Sequence, residues 1–152
     1  MRSCFVSIPF GIKSDPSGRS LDFDYLYAEV IRPGVEAVEV ECRRLDDYPM
    51  GAIWHKTLFE AIVGSDFVIA DVSTANANVF YELGVRHALR RGRTILISAG
   101  GPLPGNISYA RVLWYVPDTF RPHGSGREAM IFTSGRNGVT VWQKSSPVTG
   151  FI

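Results

Sequence analysis

Hydrophobic and polar positions along the chain follow two patterns, short apolar runs and stretches with helical spacing. Short runs occur at "CFVSI" (Cys4–Ile8), at about Ala37–Cys42, and in "DFVIADVS", whose unbroken core is Phe67–Ala70. Two further runs, "RTILIS" and "ARVLWYV", come later in the chain. These short apolar runs indicate strands, and the unbroken core Phe67–Ala70 favours a strand buried on both faces of a parallel sheet.

Three helices are predicted between these strands. The first covers Leu21–Ile31, and Pro33-Gly34 should end or kink it. The second contains apolar residues at helical spacing and stops at Gly64. The third runs from about Asn78 to Arg91 and ends in basic residues.

Alternation of strands and helices predicts the fold class, a doubly wound, mostly parallel five-stranded α/β sheet. After Pro117 the alternation of strands and helices ends. The segments "AMIFT" and "VTVWQ" predict a C-terminal β-hairpin through Asn137-Gly138. We therefore expect one domain over residues 1–152, with a core at about 3–117 and an irregular extension at 118–152.

Composition narrows the classes of function. The chain has 152 residues and a formal net charge of +1, which gives no electrostatic reason to expect a nucleic-acid partner. No apolar run is long enough to span a membrane and no signal peptide is visible, so we expect a cytoplasmic protein. Cys4 and Cys42 lie in apolar runs and are predicted to be reduced core thiols, and the histidines lack metal-ligand spacing. We predict no metal and no cofactor.

Two unusual loops are predicted to meet at one edge of the sheet. With strand order 2-1-3-4-5, the ligand crevice lies at the carboxyl ends of strands one and three. Those ends carry the loops Pro9–Ser20 and Asp71–Asn78. The topology therefore predicts a binding site between them.

Glu82 is the most informative residue near this edge. Asn76 or Asn78 can cap the third helix, and Glu82 is expected in its first turn, where the helix dipole would hold the carboxylate ionised. The alternative is a surface glutamate paired with Arg86 four residues later. The apolar neighbours of Glu82 favour a functional role.

These residues resemble a known superfamily. "PFG" after the first strand, "DFDYLYAEVI", and "IADVSTANANVFYELGVRHAL" resemble the TIR-like and nucleoside 2-deoxyribosyltransferase-like superfamily, which has a flavodoxin-like fold. The similarity covers roughly Cys4–Ile97, and Asn-x-Asn-Val-Phe-Tyr-Glu-Leu-Gly is its most specific part.

The resemblance implies N-glycosidic chemistry and a set of site residues. It assigns catalytic roles to Glu82, which would act on the anomeric carbon of a ribose or deoxyribose, and to Asp71. It assigns binding of the sugar, base or phosphate to Pro9, Phe10, Gly11, Ser73, Asn76 and Asn78. Four cations after strands one and two, Lys13, Arg19, Arg43 and Arg44, are candidates for a pyrophosphate, or are loop charges that pair locally, as Arg44 can with Asp46 and Asp47.

The chain departs from the family in ways that bear on the substrate. The deoxyribosyltransferases carry an aspartate and a Gly-Thr pair shortly before their glutamate, where this chain has Ala75-Asn76-Ala77-Asn78. Transfer between bases is therefore disfavoured. Expulsion of adenine or cytosine requires a general acid, whereas nicotinamide leaves NAD as a neutral molecule, so one carboxylate suffices. This favours hydrolysis of the nicotinamide–ribose bond of NAD or a related nucleotide.

Two other functions remain open from the sequence. A TIR-like module in signalling or defence would bind a nucleotide or another domain, including a second copy of itself, without turnover. A flavodoxin-like electron carrier is disfavoured, because the first loop lacks a dense Ser/Thr/Gly phosphate cradle.

Overall fold

The computed structural model describes residues 1–49, 54–90, 92–108, 110–115, 131–135 and 138–142. In chain order the elements are β1 (Arg2–Ser7), β2 (Ile12–Ser14), β3 (Ser20–Asp22), α1 (Phe23–Tyr25), a π-helical segment (Leu26–Ile31), α2 (Arg32–Glu36), β4 (Val40–Arg44), a 3-10 turn (Leu45–Asp47), α3 (Trp54–Gly64), β5 (Phe67–Asp71), α4 (Ala77–Leu89), β6 (Thr94–Ser98), β7 (Val112–Trp114), β8 (Ile131–Gly135) and β9 (Gly138–Trp142).

Five parallel strands form the central sheet, in the order β4-β1-β5-β6-β7. Counted along the chain, this is the predicted order 2-1-3-4-5. The predicted doubly wound α/β fold is thus confirmed, and its architecture is flavodoxin-like. Because the winding direction reverses between β1 and β5, the carboxyl ends of these two strands flank the crevice in which such sheets bind ligands.

The core lies on both faces of the sheet. Val6 and Ile69 face the first helical region and pack in one cluster with Phe23 and Ile31. On the other face, alternate strand residues pack against α3 and α4, as Val68 does against Ile62. Every residue of β5 and β6 is buried, which confirms the expectation of burial on both faces. Successive strand residues therefore point to opposite faces, and this alternation decides where the polar residues at the strand ends point.

The first helical region passes through Pro33 instead of ending there. The Arg32 N–H donates to the carbonyl of Tyr27 in π-helical register, and Pro33 falls in the first turn of α2, where its missing N–H is not needed. The helix therefore reaches Glu36, and the second strand of the sheet begins at Val40 rather than near Ala37. The helix therefore does not end at Pro33-Gly34, one of the two predicted outcomes.

Two hairpins lie outside the central sheet. The Pro9–Ser20 loop is not irregular, because β2 and β3 pair antiparallel within it. The strands β8 and β9 also pair antiparallel, as the C-terminal hairpin prediction expected. Residues 116–130 and 143–152, which make up most of the predicted extension, and Asn137 of the predicted turn lie outside the described residues.

The two cysteines are partners on neighbouring strands. Cys4 of β1 is in register with Cys42 of β4, and both are buried and free, as predicted for core thiols. A hydrogen bond between the Cys4 and Cys42 side chains, together with burial, raises the pKa of the Cys4 thiol. Within the described part of the chain, no helix has the length and apolar character needed to cross a membrane.

Candidate functional site

The candidate site lies where the ends of β1 and β5 meet. Ser7, the last residue of β1, is in register with Ala70, and Asp71 ends β5 one residue later. Ser7 and Asp71 are both buried. Because side chains alternate along a strand, Ser7 points to the face covered by α4, whereas Asp71 points to the face covered by the first helical region.

Glu82 reaches this edge from α4. The hydroxyl of Ser7 donates a hydrogen bond of 2.6 Å to Glu82 Oε2, across 75 positions of sequence. Ser7 is 2% exposed, so its hydroxyl is fixed within the end of the sheet. The carboxyl group of Glu82 is therefore held at the end of β1, beside the crevice.

The surroundings of Glu82 differ from the sequence-based expectation. Helix α4 begins at Ala77, so Glu82 is its sixth residue and lies beyond the first turn, whose free N–H groups it was expected to approach. Burial raises the pKa of Glu82, and the hydrogen bond from Ser7 opposes that rise. The predicted first-turn position was therefore wrong, and burial shifts the pKa of this carboxyl in the direction opposite to the one expected from the helix dipole.

Asn76 is the N-cap of α4. Its side-chain oxygen accepts hydrogen bonds from the backbone N–H groups of Asn78 at 3.0 Å and Val79 at 3.3 Å. The capping prediction is confirmed for Asn76, whereas Asn78 lies within the helix and is exposed. Ala75 just before the cap has a φ of 50°, a left-handed conformation that non-glycine residues seldom adopt. The turn that connects β5 to α4 therefore has an unusual backbone geometry.

Asp71 is the centre of a buried hydrogen-bond network. Its Oδ1 accepts from the backbone N–H of Ser73 at 2.8 Å, and its Oδ2 accepts from the hydroxyl of Tyr115 at 2.7 Å. The hydroxyl of Ser73 lies 3.4 Å from that of Tyr115 and accepts from the backbone N–H of Ala99 at 2.7 Å. The network therefore joins the ends of β5, β6 and β7.

The burial of Asp71 has an electrostatic consequence. The carboxyl group is 0% exposed, and this desolvation raises its pKa to about 6 although the bonds from Ser73 and Tyr115 oppose the rise. Burial also raises the pKa of Tyr115, and the nearby charge of Asp71 adds to this. Asp71 and Glu82, the two predicted catalytic residues, thus share one edge of the sheet but lie on opposite faces.

The first loop places an exposed aromatic ring at the same edge. Phe10 is 42% exposed, and the Arg44 guanidinium lies 4.7 Å from the centre of its ring. Pro9 is buried, and Gly11 has a φ of 66° that favours glycine. The backbone carbonyl of Gly11 accepts from the N–H of Phe23 at 3.1 Å, so the loop is anchored to the first helix.

Arg44 is already bound to carboxylates. Its Nε and Nη2 donate to Asp46 at 2.8 Å and 2.6 Å, and its Nη1 donates to Asp24 at 2.6 Å. The guanidinium also lies between the rings of Phe10 and Tyr27. Local pairing with Asp46 is confirmed. The Asp47 carboxylate instead accepts from the backbone N–H of Arg44. Arg44 therefore supports the Phe10 ring and has no guanidinium nitrogen left without a partner for a phosphate.

The other predicted cations differ in their surroundings. Arg43 pairs with Glu41 in the same strand. Arg19 pairs with Asp15 and also donates from Nη2 to the carbonyl of Ala99 at 2.7 Å. Lys13 is exposed on β2. The structure does not gather these side chains into a single cluster.

Ser7 and Tyr115, which the sequence did not single out, organise the site together with Arg86, which the sequence offered only as a partner for Glu82. Arg86 is fully buried and donates from Nη1 to the carbonyls of Ile62 and Ser65, each at 2.9 Å, near the end of α3. Pairing of Arg86 with Glu82 was therefore the wrong alternative. Because Arg86 follows Glu82 by one helical turn, its bonds fix the position of the helix that carries Glu82.

Among the described residues, no group of three or more His, Cys, Asp or Glu side chains is arranged to hold a metal ion. The prediction that the protein has no metal stays a prediction. Comparisons with protein-family models, with curated proteins and with solved structures gave no significant match. The functional assignment therefore depends on the geometry of the site and on the resemblance of its motifs.

Proposed function

We propose that the protein is a TIR-like N-glycosidase that hydrolyses the nicotinamide–ribose bond of NAD or of a related nucleotide. The single observation that supports this most strongly is the carboxyl group of Glu82, held by Ser7 at the crevice between β1 and β5. A carboxylate fixed at a ligand crevice can stabilise an oxocarbenium-like anomeric carbon or attack it.

The chemistry of the leaving group fits a site with one available carboxylate. Nicotinamide in NAD is a pyridinium, so cleavage of the glycosidic bond returns the electron pair to the ring nitrogen and releases a neutral base. Water adds to the anomeric carbon, and the products are nicotinamide, ADP-ribose and a proton. The base needs no general acid, and the developing positive charge on the ribose needs an anion. Glu82 supplies that anion.

Glu82 must be ionised to act in this way. Burial favours its neutral form, whereas the hydrogen bond donated by Ser7 favours the charged form. Ser7 is therefore a positioning residue that both orients Oε2 and sustains its charge. An elevated pKa also places the acidic limb of the activity profile above the pH at which an ordinary glutamate titrates.

The remaining predicted residues divide by their exposure. The Phe10 ring is 42% exposed although Arg44 contacts it, so its exposed part is available for stacking on a flat base. The exposed Asn78 is available to ribose hydroxyls, and Gly11 allows close approach of the backbone. Pro9, Asn76 and Ser73 shape the surrounding loops, and Asp71 acts through its network with Tyr115.

A second candidate is a TIR-like module that binds a nucleotide, or a second copy of the chain, without turnover. The observation that favours it is the state of Asp71, whose two oxygens are both engaged at 0% exposure. Asp71 therefore does not act beside Glu82 as a second carboxylate on the same face of the sheet. A binding module would show saturable affinity for NAD and no free base after long incubation.

The decisive experiment follows base release by chromatography. Concentrated protein is incubated with NAD and a panel of nucleotides and nucleosides, in dilute buffer and under crowding conditions that promote assembly. The proposal expects nicotinamide from NAD with the native chain and none with Glu82→Ala. Release of base that persists in Glu82→Ala would overturn the assignment, and saturable binding without release would favour the binding module.

A further inference from the structure

The hairpin between β1 and α1 has little apolar packing of its own. It consists of β2, β3 and the turn between them, and we call it the strap (Ile12–Asp22). All its side chains are exposed except those of Asp15 and Leu21. Polar contacts, rather than a hydrophobic core, must therefore hold most of the strap in place.

Asp15 organises the turn of the strap. Its Oδ1 accepts from the backbone N–H groups of Ser17 and Arg19, each at 2.9 Å, and from the Ser17 hydroxyl at 2.7 Å. Its Oδ2 accepts from Arg19 Nε at 2.8 Å. These bonds, the one from the Ser17 hydroxyl first, hold the pKa of Asp15 at about 2. Asp15 is thus ionised at neutral pH, and it fixes the direction of the Arg19 side chain.

Arg19 fastens the strap to the far side of the crevice. Its Nη2 donates to the carbonyl of Ala99 at 2.7 Å, a residue 80 positions away that follows β6. In the sheet, β5 lies between β1 and β6. Because the strap leaves from the end of β1 and is tied beyond the end of β6, it crosses the carboxyl end of β5, where Asp71 lies.

Ala99 also contacts the buried network, through its other backbone polar group. The N–H of Ala99 donates to the Ser73 hydroxyl, which belongs to the network around Asp71 and Tyr115. The loop after β6 is therefore held between the strap and the network, and Ala99 has little freedom to follow Arg19 if the strap moves.

We propose that the strap is a lid over the carboxyl end of the sheet, and that the hydrogen bond from Arg19 to Ala99 is the latch that holds it closed. Segments with few buried apolar contacts open at low free-energy cost, and enzyme lids are drawn from such segments. A detached two-stranded hairpin is at most marginally stable, so release of the latch exposes the amides of the strap. The lid does not depend on the proposed reaction.

Two neighbouring glycines provide a matched test of the latch. Gly100 has a φ of 122°, and a Cβ there would lie 3.0 Å from Nη2 of Arg19. Gly101 has a φ of 99°, and a Cβ there would meet nothing within 4 Å. Alanine is strained at both positions, because both lie in the left-handed region. Only at Gly100, however, does the added Cβ crowd the guanidinium of Arg19, which must shift by a few tenths of an ångström.

The experiment is native-state hydrogen exchange of the ligand-free protein, followed by mass spectrometry of peptides from residues 12–22. We expect exchange to be about tenfold faster in Arg19→Met, which removes the bonds to Asp15 together with the bond to Ala99, and to be accelerated to a smaller extent in Gly100→Ala. Exchange in Gly101→Ala, and in Lys13→Met as a charge control on the same hairpin, should stay within about twofold of the native rate.

The outcomes separate the lid from the reaction. Equal acceleration by Gly100→Ala and Gly101→Ala, or native exchange in Arg19→Met, would overturn the latch. Association rates of NAD measured on the same variants then report whether an open strap speeds ligand entry. Absence of any NAD binding counts against the proposed function, whereas the exchange result still decides for or against the latch.

Discussion

The two predicted catalytic carboxylates occupy contrasting environments at one edge of the sheet. Glu82 lies on a helix, is half-buried, and accepts one hydrogen bond, from Ser7. Asp71 ends a central strand, is fully buried, and accepts bonds from both Ser73 and Tyr115. Burial raises the pKa of both groups. The pKa values of the two carboxyl groups are thus shifted in the same direction, although the groups differ in their exposure to solvent.

The difference separates two uses of a buried carboxylate. Glu82 is half-buried and has acceptor capacity beyond the bond from Ser7, which the proposed function assigns to a ligand. Both oxygens of Asp71 accept hydrogen bonds in the network that joins β5 to β7 and to the loop after β6. Asp71 therefore shapes the edge of the sheet on which the ligand would lie. A raised pKa alone would not have distinguished the two, because it reports desolvation whether or not a ligand can reach the group.

The largest effect on stability is expected from removing Arg86, which fixes the helix that carries Glu82. Arg86→Met leaves the carbonyls of Ile62 and Ser65 without their buried donor, and we expect a loss of about 3 kcal/mol in the free energy of unfolding. Denaturant unfolding measures this loss. The matched control is Arg90→Met, since Arg90 is exposed and donates to overlapping carbonyls. Its cost should be below about 1 kcal/mol, and equal costs for the two variants would refute the role of Arg86.

A second prediction concerns the pH dependence contributed by Asp71. Its folded pKa of about 6 lies above the unfolded value of about 3.9. The folded state therefore binds the proton more tightly, and the contribution of Asp71 to stability falls as pH rises from about 4 to about 6, by at most about 3 kcal/mol. Asp71→Asn lacks this dependence. The stability of the native chain minus that of Asp71→Asn, measured by urea unfolding at several pH values, should decrease across this window.

The stability of Asp71→Asn is subtracted because other carboxylates change the stability with pH in the opposite direction. The pKa of Asp15 is lowered to about 2, so its contribution is lost as pH falls toward that value, and it is the same in both proteins. A difference that is flat, or that grows with rising pH, would show that Asp71 is not the destabilised buried acid described above.

The smallest effect is expected from Ser7→Ala, which tests the role of Ser7. Ser7→Ala removes the hydrogen bond that favours ionised Glu82, so the pKa of Glu82 rises further and the acidic limb of kcat/KM moves to higher pH. The loss of activity should be greater at pH 6 than at pH 8. The control is Ser14→Ala, an exposed serine on β2. A uniform loss at every pH would indicate that Ser7 supports only the local structure.

The sequence predicted the framework and the cap because local patterns encode them. The apolar core at Phe67–Ala70 and the residues around Asn76 specify a buried strand followed by a capped helix, and both are present. The hairpin in the first loop was missed, since its strands are only three residues long and mostly exposed. Helix continuation through Pro33 was missed because it depends on a π-helical segment that composition does not reveal.

Partners of the site residues were harder to predict, because they are distant in sequence. Ser7 meets Glu82 across 75 positions, and Tyr115 meets Asp71 across 44. Pairing of Arg86 with Glu82, the nearest carboxylate along its helix, was only the alternative interpretation, and it was wrong because carbonyls at the end of α3 bind the guanidinium. Tertiary packing decides such pairings, and a helical spacing rule describes only neighbours on one surface.

The most direct measurement compares Glu82→Gln with Asp71→Asn for release of nicotinamide from NAD, with both variants assayed at matched folded fractions. Glu82→Gln removes the anion at the crevice and should lower kcat by about a thousandfold. Asp71→Asn preserves the shape of the network and should retain activity within about tenfold of the native chain. Native activity in Glu82→Gln, or a thousandfold loss confined to Asp71→Asn, would contradict the assignment of Glu82 as the catalytic carboxylate.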